Sequence, residues 1–298
     1  MPSDAEADMP FPGSPVMPEM FDGSKVIQFR CHKEVGCFNA CCKSIDISLT
    51  PYDILRLKTR LGMSSGEFLR TYTVPYEMEK DGLAGVKFKS VDEGTACRFM
   101  TDEGCSVYED RPTACRYYPV ALLSMRKQDE YVDRSSYALV KEPHCLGHQE
   151  TRQLTVDEYR AEQGLNDYDE LARGWRQLIL KKKSSGPAIG KPSKRSLQLY
   201  FMACYDIDRF RDFVESEPFG KTFVLPAEER EKILSSDNEL MQFGFRFLRQ
   251  VLFGENSIEL NGESVEQRRE RIKTRQLQLE REAAERMAAD EANEGYDD

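Results

Sequence analysis

Apolar side chains recur at helical spacing through most of the second half of the chain. Within residues 159–183 they recur at three- and four-residue steps, which is the spacing of one face of an α-helix. These positions are Leu171, Trp175, Leu178 and Ile179. Residues 197–214 and 226–234 show similar patterns, and residues 240–253 are the most apolar of all. We therefore expect helices in all four stretches, with the last one buried.

Helix boundary signals mark the first half. Thr50, Pro51 and Asp53 together predict a helix start, since a hydroxyl caps free N–H groups, proline fits the first turn and an acidic side chain favours the positive helix end. Gly62 is the expected stop. Ser64 with Glu67 has the spacing of a capping box, which predicts a second helix.

A short hairpin is expected in residues 83–91. Its apolar residues alternate in part, and glycines flank the stretch. A linker is expected near residues 184–193, where serine, glycine and proline interrupt the helical pattern.

These patterns predict an α+β protein that is mostly α. The expected parts are a small, irregular, metal-stabilised cysteine domain, a helical domain and a charged helical tail. The predicted boundaries are 1–24 for a disordered acidic, Pro-rich arm, 25–150 for the cysteine domain, 151–255 for the helical domain and 256–298 for a charged helix with a disordered acidic tail.

Composition excludes several classes of protein. The chain has 298 residues, with 42 Lys and Arg against 52 Asp and Glu, so its formal net charge is -10. This balance argues against a general phosphate-binding surface, and we expect no nucleic-acid partner. No apolar run approaches the length of a membrane span, and the first 18 residues do not have the pattern of a secretory signal. We therefore expect a cytoplasmic protein without a membrane partner.

Cysteine is the unusual residue, with nine in the chain against three histidines. Eight of the nine fall in residues 31–145. The first group is Cys31, Cys37, Cys41 and Cys42; the second is Cys97, Cys105 and Cys115; Cys145 follows alone. In a reducing compartment, clustered cysteines are more often metal ligands or redox groups than disulfides.

Thiolates are soft ligands that suit zinc and iron–sulfur clusters. Structural zinc sites commonly use paired C-x2-C knuckles, and this chain has none. The adjacent pair Cys41 and Cys42 fits one zinc poorly, because neighbouring side chains diverge. The spacing favours an iron–sulfur cluster or a polynuclear site, with zinc as the alternative.

Other readings of individual residues remain open. Cys204 lies at helical spacing among aromatic residues, which indicates a core position. His32, His144 and His148 lie beside cysteines, so each is either a ligand or an ordinary loop histidine. Arg111 and Arg116 either neutralise an anionic cluster or form surface salt bridges with Glu109 or Asp110.

The cysteine segment resembles the YkgJ-type cysteine-cluster family, a zinc- or iron-chelating domain, over about residues 29–150. The early cluster ending in Cys-Cys matches at Cys37, Cys41 and Cys42, and the helix start matches at Thr50 and Asp53. The matching positions of the later run are Cys97, Cys105, Tyr108, Arg111, Pro112, Cys115, Arg116 and Pro119. The family often has a tighter C-x2-C entry, whereas Cys31 and Cys37 have five residues between them.

A weaker resemblance extends to flagellin lysine-N-methylases, which carry a related cysteine cluster. The sequence has no glycine-rich donor loop and none of the common hydrolase motifs. Three hypotheses therefore stand: a metal protein with a structural or redox centre, a cluster-dependent modifying enzyme such as a lysine N-methylase, and a protein that stores or delivers zinc or iron. A protein partner is expected for the helical half. The expected metal ligands are Cys31, Cys37, Cys41, Cys42, Cys97, Cys105, Cys115 and Cys145.

Overall fold

The computed structural model describes residues 19–78, 82–125, 134–184 and 192–262, with single positions between 265 and 281. Within these ranges the α-helices are α1 (Pro51–Leu61), α2 (Ser65–Tyr72), α3 (Thr113–Tyr117), α4 (Val156–Glu162), α5 (Leu165–Ser184), α6 (Lys194–Tyr205), α7 (Ile207–Glu215), α8 (Glu217–Thr222), α9 (Ala227–Leu234) and α10 (Asp237–Phe253). The strands are β1 (Val26–Gln28), β2 (Ser48–Leu49), β3 (Thr73–Glu77), β4 (Ala84–Phe88), β5 (Met100–Thr101), β6 (Gly104–Cys105), β7 (Val120–Met125), β8 (Arg134–Leu139), β9 (Gln153–Thr155), β10 (Phe223–Val224) and β11 (Glu259–Leu260). Short 3-10 helices span Ala40–Cys42, Tyr108–Asp110 and Leu146–Gln149. The expected fold class, mixed α and β with mostly helix, is confirmed.

The helix expected after Thr50 is confirmed as α1. The Thr50 hydroxyl accepts a hydrogen bond from the Asp53 N–H at 3.1 Å, and the Asp53 carboxylate accepts one from the Thr50 N–H at 2.8 Å. This reciprocal pair satisfies two donors that a helix start leaves free. The helix ends at Gly62, whose φ of 63° is left-handed and costs glycine little. Helix α2 follows with Ser64 as its N-cap, also as expected.

The hairpin expected in residues 83–91 is wrong. Only one strand, β4, forms there, and it pairs antiparallel with β3 and β2 in a three-stranded sheet ordered β2-β4-β3. Gly85 lies opposite Tyr76, and a Cβ at Gly85 would come within 2.6 Å of the tyrosine ring. The glycine thus makes room for a cross-strand ring and does not form a turn.

The four helical stretches expected in the second half are confirmed, but two of them are divided. The first becomes α4 and α5, which separate near Gly164 at a left-handed φ of 64°. The second becomes α6 and α7, which separate at Asp206. Helix α8 was not expected. Helix α10 is buried along much of its length, as its apolar pattern predicted.

Buried side chains of both halves belong to one hydrophobic cluster. Leu57 and Phe68 from the cysteine segment and Phe210 and Leu240 from the helical segment are each fully buried in it. Aromatic rings dominate its helical side, where Phe210 lies 5.8 Å from Phe247, centroid to centroid. Close-packed interiors of this kind give the helices around the cysteine segment a defined position.

A buried lysine connects helices of the two halves. Lys58 of α1 donates to Asp208 of α7 at 2.7 Å and lies 2.9 Å from Asp237 at the start of α10. Burial acts to raise the pKa of both aspartates. At Asp208 the hydrogen bond and charge of Lys58, together with hydrogen bonds from Ser65, outweigh burial. At Asp237 the hydrogen bond from Arg211, followed by that from Lys58, outweighs burial, so the pKa of each aspartate lies below its ordinary value.

Low pH is expected to remove the contribution of Lys58 to the free energy of unfolding. A carboxyl whose pKa is lowered by folding stabilises the protein above its unfolded pKa, near 3.8 here, and loses that effect as the pH falls. The Lys58→Met variant should therefore be less stable than wild type at pH 7, with the difference shrinking from about pH 5 to pH 3. Urea unfolding at a series of pH values measures this.

Lys87→Met is the matched control, since Lys87 pairs at 2.8 Å with an Asp46 side chain that is 79% exposed. Such surface pairs contribute little. A difference between wild type and Lys58→Met that stays constant across the pH series would contradict the expectation.

Residues 19–24 of the expected arm take part in the fold, since Phe21 exchanges backbone hydrogen bonds with Tyr137 at 2.9 and 2.8 Å. The rest of the arm, most of the expected linker and most of the tail lie outside the described residues. The single described tail positions have helical backbone. None of the helices described here is both long enough and apolar enough to span a membrane.

Candidate metal centre

The first cysteine group lies on a tight loop after β1. Successive turns carry it, with hydrogen bonds from the Phe38 N–H to the Val35 carbonyl at 2.9 Å and from the Ala40 N–H to the Cys37 carbonyl at 2.9 Å. Asn39 adopts a left-handed φ of 64° and immediately precedes the 3-10 helix that carries Cys41 and Cys42, without a side-chain hydrogen bond to it. Cys31 and Cys41 are exposed, and Cys37 and Cys42 are half-buried.

The second group is attached directly to the first. The Cys97 N–H donates to the Cys42 carbonyl at 2.8 Å, and the Asn39 side-chain amide donates to the Thr101 carbonyl at 2.9 Å. Cys105 lies on β6, opposite Met100 of β5 in a small hairpin. Two segments that are more than fifty residues apart in sequence thus share one surface.

The pairing of strands β1 and β9 brings the segment that carries Cys145 beside the first cysteine group. These strands run antiparallel, and beyond them the Arg30 N–H donates to the Gly147 carbonyl at 3.1 Å. A Cβ at Gly147 would lie 2.6 Å from the Phe29 ring, so glycine permits this close approach. The Leu146 N–H then donates to the Cys37 sulfur at 3.2 Å.

Cys115 lies on the short helix α3. Thr113, the first residue of that helix, donates to the Asp53 carboxylate through its N–H at 2.8 Å and its hydroxyl at 2.7 Å. Helix α1 therefore holds the segment that carries Cys115.

Hydrogen bonds connect the segments that carry the eight expected cysteines, which are here called the thiol group. Burial is the main cause of the raised pKa of five of its members, and the negative charge of a Cys41 thiolate adds to each. The five are Cys31, Cys97, Cys105, Cys115 and Cys145, with the pKa of Cys31 raised to about 11. Cys37 belongs to the group because its charge raises the pKa of Cys31 and Cys145. The hydrogen bonds from Cys97 to Cys42 and from Leu146 to Cys37 are the contacts that bring these segments together.

The thiols of Cys41 and Cys42 each change the pKa of the other. A hydrogen bond from the Cys42 thiol is the main cause that lowers the pKa of Cys41 to about 7, whereas the same bond, followed by burial, raises the pKa of Cys42. Cys41 is therefore the member of the pair that most readily becomes a thiolate.

Arg111 and Arg116 donate their hydrogen bonds to backbone carbonyls and to one glutamine side chain. The Arg116 guanidinium donates to three backbone carbonyls, those of Arg111 at 3.0 Å, Gln163 at 2.6 Å and Glu109. Arg111 donates to the Tyr108 carbonyl and the Gln163 side chain, at 2.8 and 2.5 Å.

Asp110 also has different partners, since it pairs with Arg56 at 2.5 Å and lies 3.7 Å from Arg60. The alternative that Arg111 or Arg116 forms a salt bridge with Glu109 or Asp110 is therefore wrong. Arg111 remains near the thiols, because its charge acts against burial to lower the pKa of Cys31 and Cys105.

The histidines have protein partners. His148 contacts the Val140 carbonyl at 3.0 Å, and burial lowers its pKa. His32 pairs with Glu34 at 2.8 Å, and His144 lies 3.6 Å from Glu142. Cys204 is 4% exposed in the core, which confirms the prediction for it.

Two residues near the thiols were not singled out from the sequence. Besides burial, Cys145 and Glu142 raise the pKa of Tyr118. Tyr118 is the C-cap of α3, three residues after Cys115, and its buried hydroxyl has no hydrogen-bond partner among the described residues. No spacing rule connects Tyr118 to Cys145, so the sequence carried no signal for this effect.

The donor chemistry of the group fits a soft metal. It is sulfur-rich and half-buried, with Arg111 as a nearby cation, and all nine cysteines are free thiols. In the described ranges, no three Cys, His, Asp or Glu side chains are arranged so that they could hold one metal ion. Metal binding would thus require these side chains to move relative to one another.

Comparison with known proteins gives one match. Residues 30–161 match the family model CxxCxxCC, described as a "putative zinc- or iron-chelating domain". The resemblance to a cysteine-cluster chelating family is confirmed for this segment, which is under half of the chain. No curated protein and no solved structure matches the chain.

Proposed function

We propose that the thiol group binds iron as an iron–sulfur cluster, in a structural or redox role, with zinc as the alternative occupant. The observation that carries the proposal is the number of thiols that the connected segments carry. Eight thiols can serve two four-cysteine clusters or one polynuclear centre, and they can also serve two zinc ions with four ligands each. The family match of residues 30–161 supports zinc or iron as the metal.

Cys41, whose pKa is lowered to about 7, is readily available as a thiolate ligand. When bound, an iron–sulfur cluster supplies one-electron chemistry. The chain itself would orient the ligands through the contacts of Cys37 and Thr113, and Arg111 would offset part of the negative charge of the bound thiolates.

The test is anaerobic purification of the full chain, followed by iron, zinc and acid-labile sulfide counts on one sample. Iron with matching sulfide and a broad absorption band near 400 nm, about where iron–sulfur clusters absorb, is the expected result. Zinc alone, without colour or sulfide, would replace the cluster proposal by a zinc centre. Purified protein that contains neither iron nor zinc would contradict both the cluster proposal and the zinc alternative. Cys204→Ala is the matched control and is expected to keep the full metal content, because its thiol lies in the core.

Metal delivery is the second candidate, and the exposure of Cys31 and Cys41 favours it. Exposed thiolate ligands can be attacked and replaced by the ligands of an acceptor, whereas enclosed ligands exchange slowly. Metal transfer from the loaded protein to an apo-acceptor, at a rate that depends on acceptor concentration, distinguishes delivery from a permanent centre. Release at a rate independent of the acceptor would count against it.

A further inference from the structure

Asp53 has a second connection beyond its own helix. Asp53 is 0% exposed. Its side chain accepts three hydrogen bonds. One oxygen accepts from the Thr50 N–H at 2.8 Å, and the other accepts from the N–H and hydroxyl of Thr113 at 2.8 and 2.7 Å. The carboxylate therefore joins two helix starts that are 60 residues apart in sequence.

Helix α3 needs this outside acceptor. Its N-cap is Pro112, which has no side-chain oxygen and makes no capping hydrogen bond. The first N–H groups of any helix have no partner within the helix. A carboxylate at that end satisfies one of them and also favours the helix dipole. Asp53 thus acts as the side-chain cap that the local sequence of α3 lacks.

This contact is one of those that fix the position of Cys115, together with the hydrogen bonds of Arg116 described above. Helix α3 has five residues, which is too short to be stable without tertiary contacts. Cys115 is its third residue, two positions after Thr113. Helix α1, by contrast, is anchored by Ile54 and Leu57, which are 1% and 0% exposed. Because Asp53 lies on α1, its hydrogen bonds with Thr113 hold the segment that carries Cys115 beside α1.

We propose that Asp53 is a positioning residue for the metal centre, which sets the place of Cys115 through its two hydrogen bonds with Thr113. The inference rests on the proposed metal-binding function and deepens it, since it names a buried carboxylate that does not contact the metal as a determinant of metal affinity. Partners that orient metal ligands typically change affinity ten- to a hundredfold when they are removed.

The test uses full-length Thr113→Val, which keeps the shape of the side chain but removes the hydroxyl donor. Zn²⁺ is the probe, and its affinity is measured by competition with a chromophoric chelator. Thr113→Val is expected to bind Zn²⁺ about tenfold more weakly than wild type. Thr113→Ser, which restores the donor, is expected to bind within about twofold of wild type. Thr113→Ala is a second variant without the hydroxyl, for use if valine prevents folding.

Thr50→Val is the matched control, because Thr50 contacts the same Asp53 but caps only α1. Its melting temperature should fall while its Zn²⁺ affinity stays within about twofold of wild type. Equal losses of affinity in Thr50→Val and Thr113→Val, or no loss in Thr113→Val, would overturn the positioning role. A wild-type protein that binds no Zn²⁺ and no iron would instead remove the proposed function itself, so the two failures are distinguishable.

Discussion

Replacement of Cys115 by alanine is expected to lower metal affinity by more than about a hundredfold. Loss of a partner that only orients a ligand already costs ten- to a hundredfold, so loss of a ligand should cost more. Alanine conserves most of the small apolar volume of the thiol, and the metal-free proteins should therefore be similarly stable. Cys42→Ala is expected to behave in the same way.

The expected loss of stability follows from mass action. Free metal at about a thousand times Kd adds about 4 kcal/mol to the free energy of unfolding, and a hundredfold weaker Kd removes about 2.7 kcal/mol of that gain. Urea unfolding measures the free energy of unfolding of wild type and of Cys115→Ala, each with buffered metal and with chelator. The ligand role of Cys115 would be contradicted by equal metal content in the two proteins. It would also be contradicted by a stability difference that persists unchanged in chelator.

Replacement of Arg116 by methionine is expected to destabilise the protein by about 4 kcal/mol, whether metal is present or not. Arg116 is 7% exposed, and its guanidinium donates to three backbone carbonyls on two separate segments. Hydrogen bonds from a charged group contribute about 1.5–3 kcal/mol each, and they are not additive. The guanidinium also lies 4.2 Å from the centroid of the Tyr168 ring, a contact that methionine keeps only in part.

Unfolding in chelator isolates this effect from any change in metal binding. Arg116→Lys should fall between wild type and Arg116→Met, because an ammonium group can donate to some of the three carbonyls. Arg173→Met is the control, since Arg173 is 55% exposed in a surface pair with Glu170 and should change the free energy of unfolding by no more than about 0.5 kcal/mol. If Arg116→Met and Arg173→Met unfold at the same urea concentration, the buried carbonyl network is not what stabilises this region.

Most helix boundaries could be predicted because their signals are local. The start of α1 at Thr50 and its end at Gly62 depend on groups within one helix turn of the boundary. The division between α6 and α7 at Asp206 had no such signal, and the expected stretch was therefore read as one helix. The β3–β4 pair was missed for a related reason, since a glycine that makes room for Tyr76 has the same local pattern as a turn glycine.

The metal chemistry of the candidate site was predicted at the level of residue type. The metal, the ligand role of each cysteine, a protein partner for the helical half and a cytoplasmic location all stay predictions. Arg116 shows the limit of motif reasoning: a positive charge beside a cysteine suggests a counter-ion, yet the backbone carbonyls of Glu109 and Gln163 compete for the same donors. Only the folded arrangement of α3 beside α4 shows which partner the guanidinium has.

The amino-acid sequence alone established the cysteine-rich segment, the helical half and the thiol chemistry, because side-chain type and short-range periodicity carry that information. It did not establish that Cys37 would meet the backbone of Leu146, or that Asp53 would cap a helix 60 residues away. Those contacts depend on how strands and helices from distant segments pack, and packing free energy is shared among many residues. The connection between the segments that carry the eight thiols is therefore a property of the tertiary structure.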